Sequence, residues 1–253
     1  MKNSSWVDII YDVYDFLYWE PQHIWKIKNI NSNLDSKDKV ENHIRNMEVS
    51  LNQILNIFFY FLPNEIYINF VENIIRKKIL KEDYKLYLKD VENIIEDINW
   101  STQPDFFFIW DSTNIFIEMK LNSKSSLEQF MKYIFLHIKD CERVKKEKRL
   151  ILIFLSKWDF SALFKEEIYN IDDLKNKFNK YKINDYTRKW NVNLVNYKSK
   201  IYDVANAMDI WHVTYDWFYN FFNNYCCNKF CSDREKDLIN WILEEFKNRN
   251  LVS

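Results

Sequence analysis

The stretch that decides the fold is PDFFFIWDSTNIFIEMKL, Pro104 to Leu121. Two apolar runs, Asp105 to Trp110 and Ile115 to Leu121, flank the turn-forming residues Asp111 to Asn114. Short runs rich in Phe and Ile, bounded by turn residues, read as a β-hairpin. With Asp111 to Asn114 as the loop, Trp110 faces Ile115, Phe108 faces Ile117, Phe107 faces Glu118 and Asp105 faces Lys120. Side chains alternate across a strand. One face then holds Phe106, Phe108, Trp110, Ile115, Ile117, Met119 and Leu121, all apolar. The other holds Asp105, Glu118 and Lys120 among Phe107, Ile109 and Phe116. A slip of one residue would change the opposing partners.

Charges inside an apolar strand are costly unless paired or bound to a metal. Two neighbouring carboxylates raise each other's pKa. A hard divalent cation relieves that conflict, because Mg²⁺ takes one or two carboxylates together with water and phosphate oxygens. A lysine beside it can hold an attacking water.

Working outward, residues 6–19 read as an amphipathic helix and residues 29–39 as a polar loop. A helical pattern covers about residues 40–62 through Ile44, Met47, Leu51, Ile54, Leu55 and Phe58, and Pro63 closes it. Two more helices are expected near 65–80 and 83–97. Beyond the hairpin, Ser126 to Ile138 is helical. LILIFL, Leu150 to Leu155, is a fully apolar strand of the kind buried mid-sheet. Helices follow at 170–180, 214–225 and 233–248, and Trp211 to Trp217 reads as strand or loop entering a helix capped by Thr214. The fold class is α/β: a small mixed sheet, hairpin 105–121 plus strand 150–155, flanked by helices and helix-rich overall.

Pro104-Asp105 at a strand start, then Glu118-Met119-Lys120 on the next strand, resembles the PD-(D/E)XK nuclease superfamily. The surroundings match too. Gln129 and Tyr133 lie one turn apart on the helix after the hairpin, and the strand at 150–155 follows as the family's next core strand would. The resemblance covers about residues 40–160 of a single domain spanning 1–253, with a helical N-terminal extension and a helical C-terminal part. It implies a restriction-endonuclease-like core and Mg²⁺-dependent hydrolysis of nucleic-acid phosphodiesters, with Mn²⁺ substituting and DNA favoured over RNA. It also implies that Asp105, Glu118 and the Met119 carbonyl hold the metal, that Lys120 positions the water, and that Gln129 and Tyr133 shape the pocket. Glu48, in a helix with Leu51 and Leu55, matches the family's upstream acid, and Glu41 is the runner-up. Two alternatives stand beside this: a nuclease-fold module that binds or regulates without activity, and a helical interaction protein with an incidental hairpin.

Composition sets the outer bounds. The chain has 253 residues, 47% of them hydrophobic, enough for one sizeable core. A net charge of -1 means that a nucleic-acid partner would need a local basic surface. The runs Arg76-Lys77-Lys78 and Lys145 to Arg149 are solvated faces or, under the nuclease reading, phosphate contacts. Glycine is absent, which excludes P-loops, Rossmann fingerprints and G-x-S-x-G elbows. Asn and Asp are expected at the turn positions glycine usually takes. No secretory or membrane-spanning segment is legible. Cys141, Cys226, Cys227 and Cys231 form no disulfide framework. The expected location is the cytoplasm, with no membrane partner. Cys226, Cys227 and Cys231 with His212 fit no standard zinc spacing and read as packed thiols. His137, one turn after Tyr133, reads as a core histidine, with lining the site as the other possibility.

Overall fold

The computed structural model describes residues 48–78, 85–87, 104–121, 123–183, 186–187, 192–228 and 231–252. In chain order the elements are α1 (Glu48–Phe61), α2 (Asn64–Ile75), β1 (Lys85–Tyr87), β2 (Phe106–Ile109), β3 (Thr113–Lys120), α3 (Leu127–Val144), β4 (Arg149–Ser156), α4 (Ile171–Lys180), β5 (Tyr186–Thr187), β6 (Val192–Asn193), α5 (Lys198–Ala207), β7 (Asp209–Thr214), α6 (Tyr215–Asn228) and α7 (Asp233–Asn248). They form two compact units, Met1–Pro63 with Phe218–Ser253, and Asn64–Trp217. The expected helix at 6–19, the loop at 29–39 and Glu41 lie outside the described residues.

The first unit is helical. Phe58 of α1 sits edge-on to Phe222 at 5.0 Å, and Phe218 stacks on Phe246 of α7 at 4.9 Å. Aromatic pairs in these geometries add to the gain from area burial alone. Helix α7 starts on a capping box, in which Ser232 and Glu235 each take the other's backbone N–H.

The second unit is an α/β layer structure built on one mixed sheet in the order β1-β2-β3-β4-β7. Strands β1, β2 and β3 are antiparallel, and β3, β4 and β7 run parallel. Strand β4 lies between two partners, which suits its unbroken apolar run. On one face, Phe107, Phe116, Leu152 and Phe154 pack with Phe130 and Ile134 of α3, Phe178 of α4 and Ile201 of α5. On the other, Tyr67 of α2 stacks on Phe108 at 4.1 Å and on Trp110 at 5.8 Å. Strands β2 and β3 are therefore buried on both faces.

The hairpin register differs from the expected one by two residues. Phe108 pairs with Ile115 and Ile109 with Asn114. The Trp110 N–H donates to the Thr113 carbonyl at 2.8 Å, so Asp111 and Ser112 alone make the turn. Thr113 and Asn114 join β3 because both find partners there. Thr113 pairs with Arg149, and the buried Asn114 donates to Asp140 at 3.0 Å. A shift of two leaves every side chain on its assigned face, whereas a shift of one would have inverted them all.

Other boundaries moved for tertiary reasons. Within the expected helix at 83–97, Lys85–Tyr87 is a strand paired to β2, and the rest lies outside the described residues. Sheet pairing overrides a weak helical pattern. Helix α2 stops at Ile75, where Arg76 turns left-handed with φ 50°. Helix α3 runs on to Val144 because its last turns bury Ile138, Asp140 and Cys141. Left-handed backbone occurs at Arg76, Lys145 and Asn250 among the described residues, so two of the three positions are basic rather than Asn or Asp. At Lys145 the cost is offset because its N–H and that of Lys146 close the last carbonyls of α3. Among the described residues, no single helix is long and apolar enough to cross a membrane.

Candidate active site

Glu118 is 2% exposed and Lys120 is 4% exposed, both in a strand that is otherwise a run of buried residues. Charges so placed need partners. The Lys120 Nζ forms an ion pair with Glu118 Oε1. Gln129 Nε2 donates to the same oxygen at 2.7 Å, and the Tyr133 hydroxyl donates to Glu118 Oε2. Gln129 also reaches the Tyr133 oxygen at 2.6 Å. Both side chains come from one face of α3, one turn apart. The helix is set by Ser126, whose Oγ accepts from the Gln129 N–H at 3.2 Å.

Asp105 reaches the site from the end of β2. Its Oδ2 accepts the Met119 N–H at 2.6 Å. Continuing the observed register places Asp105 opposite Glu118 rather than opposite Lys120. A strand turns the N–H and C=O of one residue to the same edge, so the Met119 carbonyl also faces the Asp105 side. Burial, then the charges of Glu118 and Asp105, hold the Tyr133 phenol well above its usual pKa. It therefore stays protonated and keeps donating.

Asp105, Glu118, Lys120, Gln129 and Tyr133 are thus brought together. Glu48 opens α1, in the other compact unit, and its side chain lies outside what is described. Two carboxylates and a backbone carbonyl fit a hard cation that keeps part of its water, as Mg²⁺ does. They do not fit a site needing three protein side chains, and among the described residues no group of three His, Cys, Asp or Glu side chains is placed to hold a metal.

The remaining candidates sort differently. His137 is 4% exposed and contacts Asn114 and Cys141, away from the Glu118 cluster. It belongs to a polar core at the other end of α3. There the wholly buried Asp140 accepts from Asn114, from Arg143 at 2.7 Å and from Lys148 at 2.9 Å. Within the basic run, Lys148 is taken up by that pair and Arg149 is paired to Asp209, while Lys145 and Lys146 are exposed. Arg76, Lys77 and Lys78 are exposed. Cys141, Cys226, Cys227 and Cys231 are thiols. The contact of His212 with Ser156 was not foreseen. A serine ending an otherwise apolar strand was its only trace in the sequence. Compared with protein-family models, with curated proteins and with solved structures, the chain matches none of them.

Proposed function

We propose that this protein is a metal-dependent nuclease of the PD-(D/E)XK type, hydrolysing nucleic-acid phosphodiesters, with DNA favoured as substrate. One observation carries the reading. A carboxylate and an amine, Glu118 and Lys120, are buried two residues apart at the end of a core strand, and Asp105 caps the backbone between them. Stability alone gives little reason for this pair, because an apolar pair of similar size often serves the fold as well.

Asp105, Glu118 and the Met119 carbonyl would hold a Mg²⁺ ion, which when bound supplies charge neutralisation for the phosphoryl group. Gln129 and Tyr133 fix the Glu118 carboxylate by donating to both its oxygens. Lys120 would orient the attacking water and balance charge developing on the phosphate.

Cleavage of labelled single- and double-stranded DNA and RNA, with Mg²⁺ and with Mn²⁺, tests the reading. The parent should cleave, Glu118→Gln should lose both turnover and the response to metal, and Lys120→Ala should lose turnover while still binding metal. Circular dichroism must show each variant folded. Nucleic-acid binding without cleavage in any of these conditions replaces the nuclease by a non-catalytic binding module.

A further inference from the structure

Two rungs of the sheet carry the candidate site across three strands. Glu118 pairs with Phe154 and Phe154 with His212, while Lys120 pairs with Ser156 and Ser156 with Thr214. Paired residues on neighbouring strands point to the same face. Ser156 is therefore beside Lys120, and His212 stands two strand spacings from Glu118, on the order of 10 Å.

Ser156 is wholly buried, and its Oγ touches two groups, the Trp158 carbonyl at 2.7 Å and His212 Nε2 at 3.0 Å. A carbonyl has no proton to give, so the single serine proton lies on the Trp158 side. The contact with His212 is then an Nε2–H donating to Ser156. The Trp158 backbone also interacts with the ring and raises its pKa, against the larger effect of burial. Phe160 fixes the imidazole by an edge contact at 5.9 Å. Burial lowers the His212 pKa, so the ring is neutral near pH 7. Its Nδ1 is left with a lone pair, and no partner for it is present among the described residues. The residue itself is half-buried.

We propose that His212 is a substrate-contacting residue of the nuclease site, its Nδ1 accepting a hydrogen bond from the nucleotide flanking the scissile phosphate. This rests on the nuclease reading of Asp105, Glu118 and Lys120. Diester oxygens carry no proton, so the donor is a base N–H or, in RNA, a 2′-hydroxyl. Ser156 is a positioning residue that holds the ring in the required tautomer.

The test compares the parent, His212→Ala and Ser156→Ala on single-stranded DNA and RNA oligonucleotides of matched sequence. It uses steady-state cleavage, fluorescence anisotropy for binding, and ¹⁵N spectra of the histidine rings. For His212→Ala, kcat/KM should fall about tenfold through KM, with a matching rise in Kd and kcat little changed, as expected for one lost hydrogen bond. Ser156→Ala should shift the same quantities in the same direction. Adding oligonucleotide should move the Nδ1 resonance while Nε2 stays protonated. An equal loss on DNA and RNA assigns the donor to the base, and a loss confined to RNA assigns it to the 2′-hydroxyl. Unchanged KM and Kd in His212→Ala, or a ring protonated on Nδ1, overturns the proposal and leaves the nuclease intact. If the parent binds without cleaving, Kd alone decides. A parent that neither binds nor cleaves any oligonucleotide removes the nuclease reading and this proposal together.

Discussion

Asp105 Oδ2 accepts the backbone N–H of Met119 at 2.6 Å, joining the start of one hairpin strand to the end of the other. The carboxylate closes the sheet where β2 begins, next to the backbone between Glu118 and Lys120. The structural role and the proposed metal-binding role therefore fall on one side chain, and two substitutions separate them. Asp105→Ala leaves the Met119 N–H without an acceptor and should cost about 1–3 kcal/mol. Asp105→Asn keeps an acceptor and should unfold close to the parent. If the proposed metal site forms, millimolar Mg²⁺ should raise the parent's melting temperature relative to EDTA, and both variants should lose that rise. Urea unfolding and thermal melts measure the two effects. An Asp105→Asn protein that still responds to Mg²⁺ would take Asp105 out of the metal site.

Tyr133 donates to the carboxylate of Glu118, which is buried. Tyr133→Phe should destabilise the fold by about 1.5–3 kcal/mol, the range for a hydrogen bond to a charged group. Gln129→Leu removes the donor to the other Glu118 oxygen and should cost a similar amount. The two losses should not add, because Gln129 also holds the Tyr133 oxygen. Denaturant unfolding of both single variants and the double variant gives the coupling.

The polar core at the far end of α3 makes a separate prediction. Lys148 and Asp140 are both buried, their side chains 3% and 0% exposed. Burial by itself would raise the Asp140 pKa, but Arg143, Lys148 and Asn114 overcome it and hold the carboxyl below its usual value. Asp140→Ala strands a buried ammonium and should cost about 3–5 kcal/mol. Adding Lys148→Met should recover part of that loss. A Asp140→Ala variant as stable as the parent would show that water reaches Lys148.

His137 sets a pH window. Burial pushes its pKa down to about 4, against the attraction of Asp140 and with help from Lys148 and Lys200. The unfolded chain binds this proton more readily than the folded one, so stability rises with pH across the interval. The contribution is complete above about pH 6.5 and is lost as pH falls towards 4. It amounts to roughly 3–3.5 kcal/mol at most, at 1.36 kcal/mol per pKa unit. Replacing His137 by Gln should flatten the stability profile between those limits. The comparison is unfolding free energy at several pH values for both proteins.

The PD…E-x-K residues, their strand faces and the Gln129–Tyr133 pair were legible in the sequence because each depends on local spacing. Side-chain alternation assigns faces whatever the partner strand does, and a helical step of four puts Gln129 and Tyr133 on one face. The even register shift shows how far that argument extends: faces survived it, and opposing partners did not. The register sets Asp105 opposite Glu118 rather than Lys120, because Asn114 and Thr113 found partners on α3 and β4 that no hairpin rule contains.

Everything that depends on packing between distant segments was decided by the tertiary structure. Asn114 reads as a turn residue until Asp140 and Lys148 are brought to it. Lys85–Tyr87 reads as helix until β2 offers an edge to pair with. Ser156 and His212 are 56 residues apart, and only the parallel pairing of β4 with β7 makes them neighbours. The physical reason is the same in each case. Periodicity records which face of an element avoids water, whereas the identity of the group that satisfies a buried polar atom is set by whichever element arrives to cover it.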